Sequence, residues 1–158
     1  MIQHPILPVY DENSRILILG SFPSVRSREE MFFYGHPKNR FWKVIAALFG
    51  DIEPQCIEEK RRLLLKHNIA VWDVIASCDI IGSSDSSIKN VVPNDLRLIL
   101  NHANIERIFV NGKAAEKYYD RYIKEQINRE AVYLPSTSPA NASWSTDALI
   151  ESWKMILY

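Results

Sequence analysis

Several residues of this sequence could together bind a flat ligand. Phe22 offers an aromatic ring, Asn39 and Asn111 offer amides, Asp73 offers a carboxylate and Ser21 a hydroxyl. A ring can stack on a planar ligand, while amides, hydroxyls and carboxylates can hydrogen-bond its edge. This combination favours a pocket for a flat heteroaromatic ligand.

Signatures of several common enzyme classes are absent. The sequence has no GxSxG, GxxxxGK[ST] or GxGxxG motif, so serine-hydrolase, phosphate-loop and dinucleotide-binding functions lack their defining residues. Its four histidines form no HxxxH or HxH pair, and Cys56 and Cys78 have no CxxC partner. We therefore expect two reduced structural thiols, no metal or iron–sulfur cluster, and no cofactor.

The bulk composition is typical of one globular domain spanning residues 1–158. Apolar residues make up 47% of the chain, charged residues 24%, and the formal net charge is zero. Zero net charge argues against a protein held on nucleic acid by global charge, although a local basic face is compatible with it. No apolar run is long enough to span a bilayer, and the N-terminus lacks a secretory signal. We expect a cytoplasmic monomer without a membrane partner.

The candidate residues need a scaffold, and the apolar pattern predicts one. Four apolar runs indicate buried strands at 16–19, 69–72, 105–110 and 131–134. Helical patterns occupy 41–49, 57–67, 95–102, 113–127 and 144–157. This alternation predicts an α/β fold with three layers (α/β/α) and a short four-stranded parallel sheet. Right-handed crossovers bring all four strand ends to one edge, where Ser21, Asp73 and Asn111 should meet.

Two segments are predicted to lack regular structure. Residues 1–14, with Pro5 and Pro8, indicate an irregular lead-in, and Ser77–Asn94 indicates a long polar loop. A loop of that length inside a compact domain is more often functional than idle. Its serine-rich part, Ser83–Ser87, has no role that the sequence reveals.

Four segments of the chain carry a family resemblance. They are GSFPS (20–24), FYGHPKNRFW (33–42), VWDVIASC (71–78) followed by DSSI (85–88), and LPSTSPAN (134–141). In this order they resemble the uracil-DNA glycosylase superfamily, and within it the hypoxanthine-DNA glycosylases (family 6). The resemblance implies a short parallel sheet between helices, DNA containing deaminated bases as partner, and metal-independent cleavage of the N-glycosidic bond of a flipped base.

The resemblance assigns catalysis to Asn39, the asparagine of the HPxN segment. Superfamily members usually carry polar residues where this chain has Phe22 and Leu134, so both usual catalytic positions are apolar. An amide is not a general base at neutral pH. Asn39 would instead orient the attacking water and favour the developing oxocarbenium charge. Spacing alone allows a compatible, simpler role, the cap of the helix beginning at Arg40.

The implied base-binding residues are Ser21, Phe22, Asp73 and Asn111. Phe22 would stack on the base or plug the end of the sheet, and backbone amides near Ser21 and Phe22 would donate to an exocyclic oxygen. Asn111 would donate to O6 of hypoxanthine and accept from N1–H. Asp73 would accept from N1–H and so disfavour adenine, whose N1 carries no proton; its alternative role is a cap on the next turn.

Contact with DNA phosphates is expected from hydroxyls and a few cations. The residues concerned are Ser24, Lys38, Ser136, Thr137, Ser138 and Asn141. Pro139, Ala140 and Asn141 lie where relatives insert a wedge into the base stack, but no bulky leucine is present. Three alternatives stay open: a glycosylase for uracil or a mismatched pyrimidine, a non-catalytic nucleotide-binding module, and a hydrolase of free nucleosides.

Overall fold

The computed structural model describes residues 1–158, which form seven strands and seven α-helices. The strands are β1 (Ile2–Gln3), β2 (Ile16–Gly20), β3 (Ile69–Asp73), β4 (Ile75–Asp79), β5 (Lys89–Pro93), β6 (Arg107–Asn111) and β7 (Val132–Leu134). The helices are α1 (Val25–Glu30), α2 (Phe41–Phe49), α3 (Ile57–Lys66), α4 (Arg97–Leu100), α5 (Lys113–Tyr122), α6 (Lys124–Ile127) and α7 (Thr146–Trp153). Short 3₁₀ turns lie at Asp85–Ser87, Pro139–Asn141 and Lys154–Leu157.

The central sheet is parallel and confirms the predicted α/β fold. Its strand order is β3-β2-β6-β7, and every neighbouring pair is parallel. Every residue of β2 and β3 is buried, as expected for strands covered by helices on both faces. The register pairs Gly20 with Asp73 and Asn111 with Leu134. The four strands therefore end side by side.

The helices follow their apolar faces, but three differ from the predicted bounds. Of the predicted helix 95–102, only Arg97–Leu100 is helical. Helix α2 buries Phe41, Val44 and Ile45 and ends at Gly50, whose left-handed backbone (φ 66°) suits a residue without a side chain. The predicted helix 113–127 is interrupted at Ile123, which is fully buried between α5 and α6. The predicted helix 144–157 begins later because Ser145 caps α7, and its last turn is 3₁₀.

The prediction of a long loop at Ser77–Asn94 was wrong. Strands β4 and β5 form an antiparallel hairpin there, and β1 pairs with β4 to complete a second, three-stranded sheet. Strand β4 buries two consecutive small side chains, Ser77 and Cys78, so it shows no alternating apolar pattern. Strand β5 is mostly exposed. Only residues 80–88 remain as the connecting loop, which we call the hairpin loop.

The N-terminal lead-in is also more ordered than predicted. Besides β1, Val9 forms an isolated antiparallel bridge with Val71 in β3. A single cluster of buried apolar side chains runs from Ile6 to Ile156 and includes both residues of that bridge. No helix combines the length and hydrophobicity needed to cross a bilayer.

Candidate functional site

A pocket of about 110 Å³ opens at the edge where the parallel strands end. Its walls come from the segments after β2, β3, β6 and β7, from the loop before α2 and from the hairpin loop. Ligands of open α/β folds bind outside the carboxyl ends of the strands, as here. Nine of the eleven predicted site residues border this pocket: Ser21, Phe22, Ser24, Asn39, Asp73, Asn111, Ser136, Thr137 and Ser138. Lys38 and Asn141 lie outside it.

Asn39 is half-buried at the wall of the pocket. Its Oδ1 accepts the backbone N–H of Phe41 at 3.0 Å, and its own N–H donates to the carbonyl of His36 at 2.9 Å. The side chain thus closes the turn into α2, the capping role that the spacing allowed. One lone pair of Oδ1 remains, and Nδ2 has no protein partner. Capping therefore fixes the position of the carboxamide and leaves part of its hydrogen-bonding capacity for a ligand or a water molecule.

Asp73 is almost completely buried, with 3% of its surface exposed. Its Oδ2 lies 2.7 Å from Nε2 of His4. Nδ1 of His4 accepts the N–H of Ile6, so the ring proton is on Nε2 and is donated to Asp73. Both side chains are buried, and this contact holds the carboxylate in place.

Gly20 is required by the position of Asp73. A Cβ on Gly20 would clash with Oδ1 of Asp73 and would lie 3.1 Å from the hydroxyl of Tyr34. Such contacts are too short for real atoms, so the glycine lets the carboxylate approach the end of β2. No protein group donates a hydrogen bond to Oδ1 of Asp73, which leaves that oxygen available to a ligand in the pocket.

Tyr34, like Phe22, is an aromatic residue that the sequence offers to this edge of the sheet, and it borders the pocket. It has a left-handed backbone (φ 52°), and its ring stacks on Phe41 with centroids 4.0 Å apart. Its hydroxyl is buried without a hydrogen-bond partner, although Asp73 and Asn111 lie close by. Burial, and then the charge of Asp73, raise the pKa of Tyr34, so the phenol keeps its proton. The left-handed backbone at Tyr34 could not be anticipated from a residue type that seldom adopts it.

Asn111 and Thr137 form a closed pair that differs from the roles predicted for them. Asn111 donates through Nδ2 to Oγ1 of Thr137 at 3.0 Å and accepts the N–H of Thr137 through Oδ1 at 3.1 Å. Thr137 is completely buried, so direct contact with a phosphate is not available to it. The pair instead ties the end of β6 to the segment after β7, and Asn111 keeps only its remaining donor and acceptor for a ligand.

Phe22 borders the pocket but is 9% exposed. Its ring meets His4 edge-on at 5.8 Å, and the guanidinium of Arg28 lies over it at 5.6 Å. Stacking on a base would therefore use the side of the ring away from Arg28. The backbone N–H groups of Ser21 and Phe22 donate to no protein acceptor, so they are available to a ligand oxygen.

The hairpin loop docks onto the segment after β2 and forms one wall of the pocket. Ser21 donates through Oγ to Oδ1 of Asp85 at 3.0 Å, and the N–H of Val25 donates to Oγ of Ser83 at 2.9 Å. Arg28 donates to the carbonyl of Gly82 at 2.7 Å. The serine-rich stretch that the sequence left unexplained thus encloses the pocket and brings Asp85 to it.

The hydroxyls at the rim have structural partners. Ser24 caps α1 by accepting the N–H of Ser27, Ser136 accepts the N–H of Ser138, and Ser138 accepts the N–H of Ala140. Asn141 donates to the carbonyl of Ser136 at 2.9 Å. Ser24 also donates its proton to Oγ of Ser27 at 3.1 Å. Ser136 and Ser138 act there only as acceptors, so they can still donate theirs.

The cationic side chains near the rim differ in whether they bind other groups of the protein. Lys38 is exposed beside Asn39 and forms no ion pair. Arg40, in contrast, donates to the carbonyls of Asn141 and Trp144 and so joins the loop before α2 to the segment after β7. His36 accepts the N–H of Lys38 through Nδ1, which makes it a turn residue outside the pocket.

Comparison with known proteins identifies the family. The chain matches the model of the uracil DNA glycosylase superfamily over residues 7–156. The hypoxanthine DNA glycosylase of Methanosarcina acetivorans is 34% identical over 158 residues, 99% of this chain and 98% of that protein. The protein of the same name from Methanosarcina barkeri is 35% identical over 137 residues, 85% of each chain. A solution NMR structure from M. acetivorans, described as a candidate uracil DNA glycosylase, matches with a TM-score of 0.78 at 31% identity, covering both chains fully. This chain belongs to the uracil DNA glycosylase superfamily.

Proposed function

We propose that this protein is a monofunctional DNA glycosylase that hydrolyses the N-glycosidic bond of hypoxanthine in DNA. The reaction leaves an abasic site and so begins base excision repair. Two relatives covering most of the chain are named for this activity. The observation that carries the proposal is one pocket bordered both by a fixed amide, Asn39, and by a carboxylate with a free acceptor oxygen, Asp73.

Recognition of hypoxanthine follows from the hydrogen-bonding character of the pocket. Oδ1 of Asp73 accepts the N1–H of hypoxanthine, while adenine presents a lone pair there and is repelled. The free N–H groups of Ser21 and Phe22 donate to an exocyclic oxygen of the base. Flipping a base out of the duplex costs a few kcal/mol, and least for mispaired bases. Deaminated bases pair poorly, so they are favoured both by a lower cost of flipping and by the hydrogen bonds of the pocket.

Asn39 acts on the attacking water. Its turn into α2 holds the carboxamide still, and the remaining lone pair of Oδ1 accepts a hydrogen bond from a water placed beneath the anomeric carbon. The oriented dipole also favours the positive charge that develops on the sugar. Removing one preorganised group of this kind costs about 3 kcal/mol of transition-state stabilisation, or roughly 10²–10³ in rate.

DNA is held by groups around the rim. The hydroxyls of Ser136 and Ser138 and the exposed Lys38 contact phosphates, which positions the duplex without reading its sequence. The hydroxyl of Ser24 is engaged with Ser27 and supports the rim. Thr137, Asn111 and Asn141 support these loops from within. The protein acts as a monomer in the cytoplasm under this proposal.

The test is strand scission at abasic sites after incubation with duplexes carrying one deoxyinosine. The parent protein should release hypoxanthine, and Asn39→Ala should slow release by roughly 10²–10³-fold. Loss of the turn-closing bond should cost about 1 kcal/mol of stability, so the variant still folds. Ser145→Ala is the matched control, because Ser145 caps α7 away from the pocket. It should lose similar stability and keep full activity.

The same duplexes separate the proposal from its rivals. Parent-like excision by Asn39→Ala would reject the catalytic assignment, and binding to the inosine duplex without scission would indicate a nucleotide-binding module. Uracil is the second candidate base, because its N3–H beside a carbonyl offers Asp73 and the Ser21–Phe22 amides the same pattern. Duplexes with uracil and with xanthine, assayed in parallel, rank the three bases directly.

A further inference from the structure

The hairpin loop delivers a second carboxyl group to the pocket. Asp85 borders the pocket together with Asp73, and the Ser21 bond fixes its Oδ1 at 3.0 Å. Two further bonds, from Val25 and from Arg28, anchor the loop on either side. The carboxyl is therefore held in position at the pocket wall rather than free on a surface loop. No role for it follows from water activation by Asn39 or from base recognition by Asp73.

The two carboxyl groups have different surroundings. Asp73 is buried and accepts a hydrogen bond from Nε2–H of His4. Asp85 borders the same pocket from an exposed loop and accepts a bond only from the neutral hydroxyl of Ser21. Partial burial of the Asp85 carboxyl raises its pKa, the bond from Ser21 opposes this, and the charge of Asp73 adds to it. A carboxyl group with a raised pKa is suited to donate a proton in a reaction.

The other charged or titratable groups facing Asp85 come from three elements. Cys78 lies on β4 and Tyr118 on α5, and Arg28 on α1 binds the neighbouring Gly82 carbonyl. Burial first, and then nearby charges including Asp85, raise the pKa of both Cys78 and Tyr118, so neither carries a negative charge at neutral pH. Asp73 is thus the only negative group acting on Asp85 from the pocket.

Hydrolysis of a purine glycoside needs help at the leaving group. The bonding electrons of C1′–N9 move onto the base as the bond breaks, and protonation at N7 turns a poor anionic leaving group into a neutral one. A donor must therefore stand beside the imidazole part of the flipped base. His4 is engaged with Asp73, His36 lies outside the pocket, and the phenol of Tyr34 is too weak an acid.

We propose that Asp85 is the general acid of this site and protonates N7 of the leaving hypoxanthine. The assignment rests on the proposed function. The carboxylic acid transfers its proton to N7 while C1′–N9 breaks, and hypoxanthine leaves neutral. Water held by Asn39 adds to C1′, and its proton returns through solvent to the Asp85 carboxylate. The sum is deoxyinosine plus water to abasic site plus hypoxanthine, with no further reactant.

The test combines one enzyme change with one substrate change. Asp85→Asn keeps the size of the side chain and the acceptor for Ser21 but carries no transferable proton. A duplex with 2′-deoxy-7-deazainosine has C–H in place of N7, so it cannot accept the proton. Single-turnover excision is measured for both proteins on both duplexes across a range of pH. Asp79→Asn is the control variant, because Asp79 ends β4 directly before the hairpin loop and lies outside the pocket.

Asp85→Asn should excise hypoxanthine roughly 10²-fold more slowly than the parent, the lower range for a general acid. The parent should be slowed to a similar extent by the 7-deaza base, and Asp85→Asn should slow that substrate no further. The parent rate should fall as rising pH removes the Asp85 proton, while the Asp85→Asn rate stays flat over that range. Asp79→Asn should match the parent.

The outcomes separate the general acid from the glycosylase itself. Equal slowing of both substrates by Asp85→Asn, or no slowing of hypoxanthine release, would overturn the role of Asp85 while leaving the glycosylase intact. A parent protein that releases no hypoxanthine would instead reject the proposed function. Thermal unfolding of each variant shows whether a rate change comes with a change in fold.

Discussion

Asp73 illustrates how a single side chain can select a base by whether the base carries a hydrogen on N1. One oxygen of its carboxylate is taken by His4, and the other has no protein donor. Replacing it by asparagine keeps the shape but allows the amide to flip, so that N–H₂ can donate to the bare N1 of adenine. The contact with His4 also becomes a weaker, uncharged one.

Asp73→Asn should therefore reduce the preference for hypoxanthine over adenine. We expect at least a tenfold shift in the ratio of their excision rates, about 1.4 kcal/mol, the order of one hydrogen bond involving a charged group. The measurement uses matched duplexes with deoxyinosine or deoxyadenosine opposite the same base. A ratio equal to that of the parent protein would mean that Asp73 acts as a structural residue only.

Tyr34 and Tyr119 allow a direct comparison of an unsatisfied and a satisfied buried hydroxyl. The Tyr34 hydroxyl has no partner, whereas that of Tyr119 donates to the carbonyl of Arg129 at 2.7 Å. Tyr34→Phe keeps the stack on Phe41 and removes a group whose burial costs about 1–3 kcal/mol, so stability should hold or rise. Tyr119→Phe should lose about 1 kcal/mol or more, because it leaves a carbonyl unpaired.

Urea unfolding of the two tyrosine variants provides the measurement. The expected order of midpoints is Tyr34→Phe at or above the parent, and Tyr119→Phe below it. The reverse order would show that the Tyr34 hydroxyl is already satisfied in the free protein. Retention of an unsatisfied hydroxyl beside the pocket fits a group kept for ligand rather than for stability.

Between elements, the ends of α2 and α3 are joined by a small charged cluster. Asp51, just after α2, bonds to His67 and Lys66 at the end of α3. His67 also stacks on Phe49, with ring centroids 4.0 Å apart. The bond to His67 and then the one to Lys66 hold the pKa of Asp51 below its ordinary value.

This cluster predicts an acid-sensitive contribution to stability. Because the folded state lowers the pKa of Asp51, the contribution is complete above the ordinary carboxyl pKa of about 4 and disappears as pH falls through the lowered value. Asp51→Asn should be less stable than the parent at pH 6, and the difference should vanish near pH 2. Urea midpoints of both proteins at several pH values check this. A gap independent of pH would assign the effect to packing.

The strands and loops differed in how far the pattern of residues predicted them. Each parallel strand is a continuous apolar run because helices cover both faces, and the observed bounds of β2, β3, β6 and β7 lie within two residues of the predicted ones. Strands β4 and β5 were not predicted, because β4 buries small residues and β5 is mostly exposed to solvent. Neither strand therefore shows a run of large apolar residues. Short edge strands of this kind owe their structure to pairing rather than to composition.

At the scale of the whole molecule, the residues assigned to base recognition and catalysis lie at one edge of the parallel sheet. The parallel strands bring Gly20, Asp73 and Asn111 to that edge, and the hairpin of the second sheet covers it from the side. The whole chain has a formal net charge of zero, so attraction to DNA must be local to the rim.

The amino-acid sequence by itself determined the four parallel strands, the order of the loops that follow them and the family. These follow from apolar periodicity and from short motifs, both of which are local along the chain. It also singled out Asn39 and Asp73, since each directly follows or precedes a recognisable element.

Only the tertiary structure decided which polar groups remain free. Asn111 and Thr137 satisfy one another, His4 engages Asp73 from the far end of the chain, and the Tyr34 hydroxyl is left without a partner. Asp85 reaches the pocket only because a hairpin folds across the segment after β2. These pairings join residues that are 26 to 69 positions apart, and no local pattern specifies contacts at that separation.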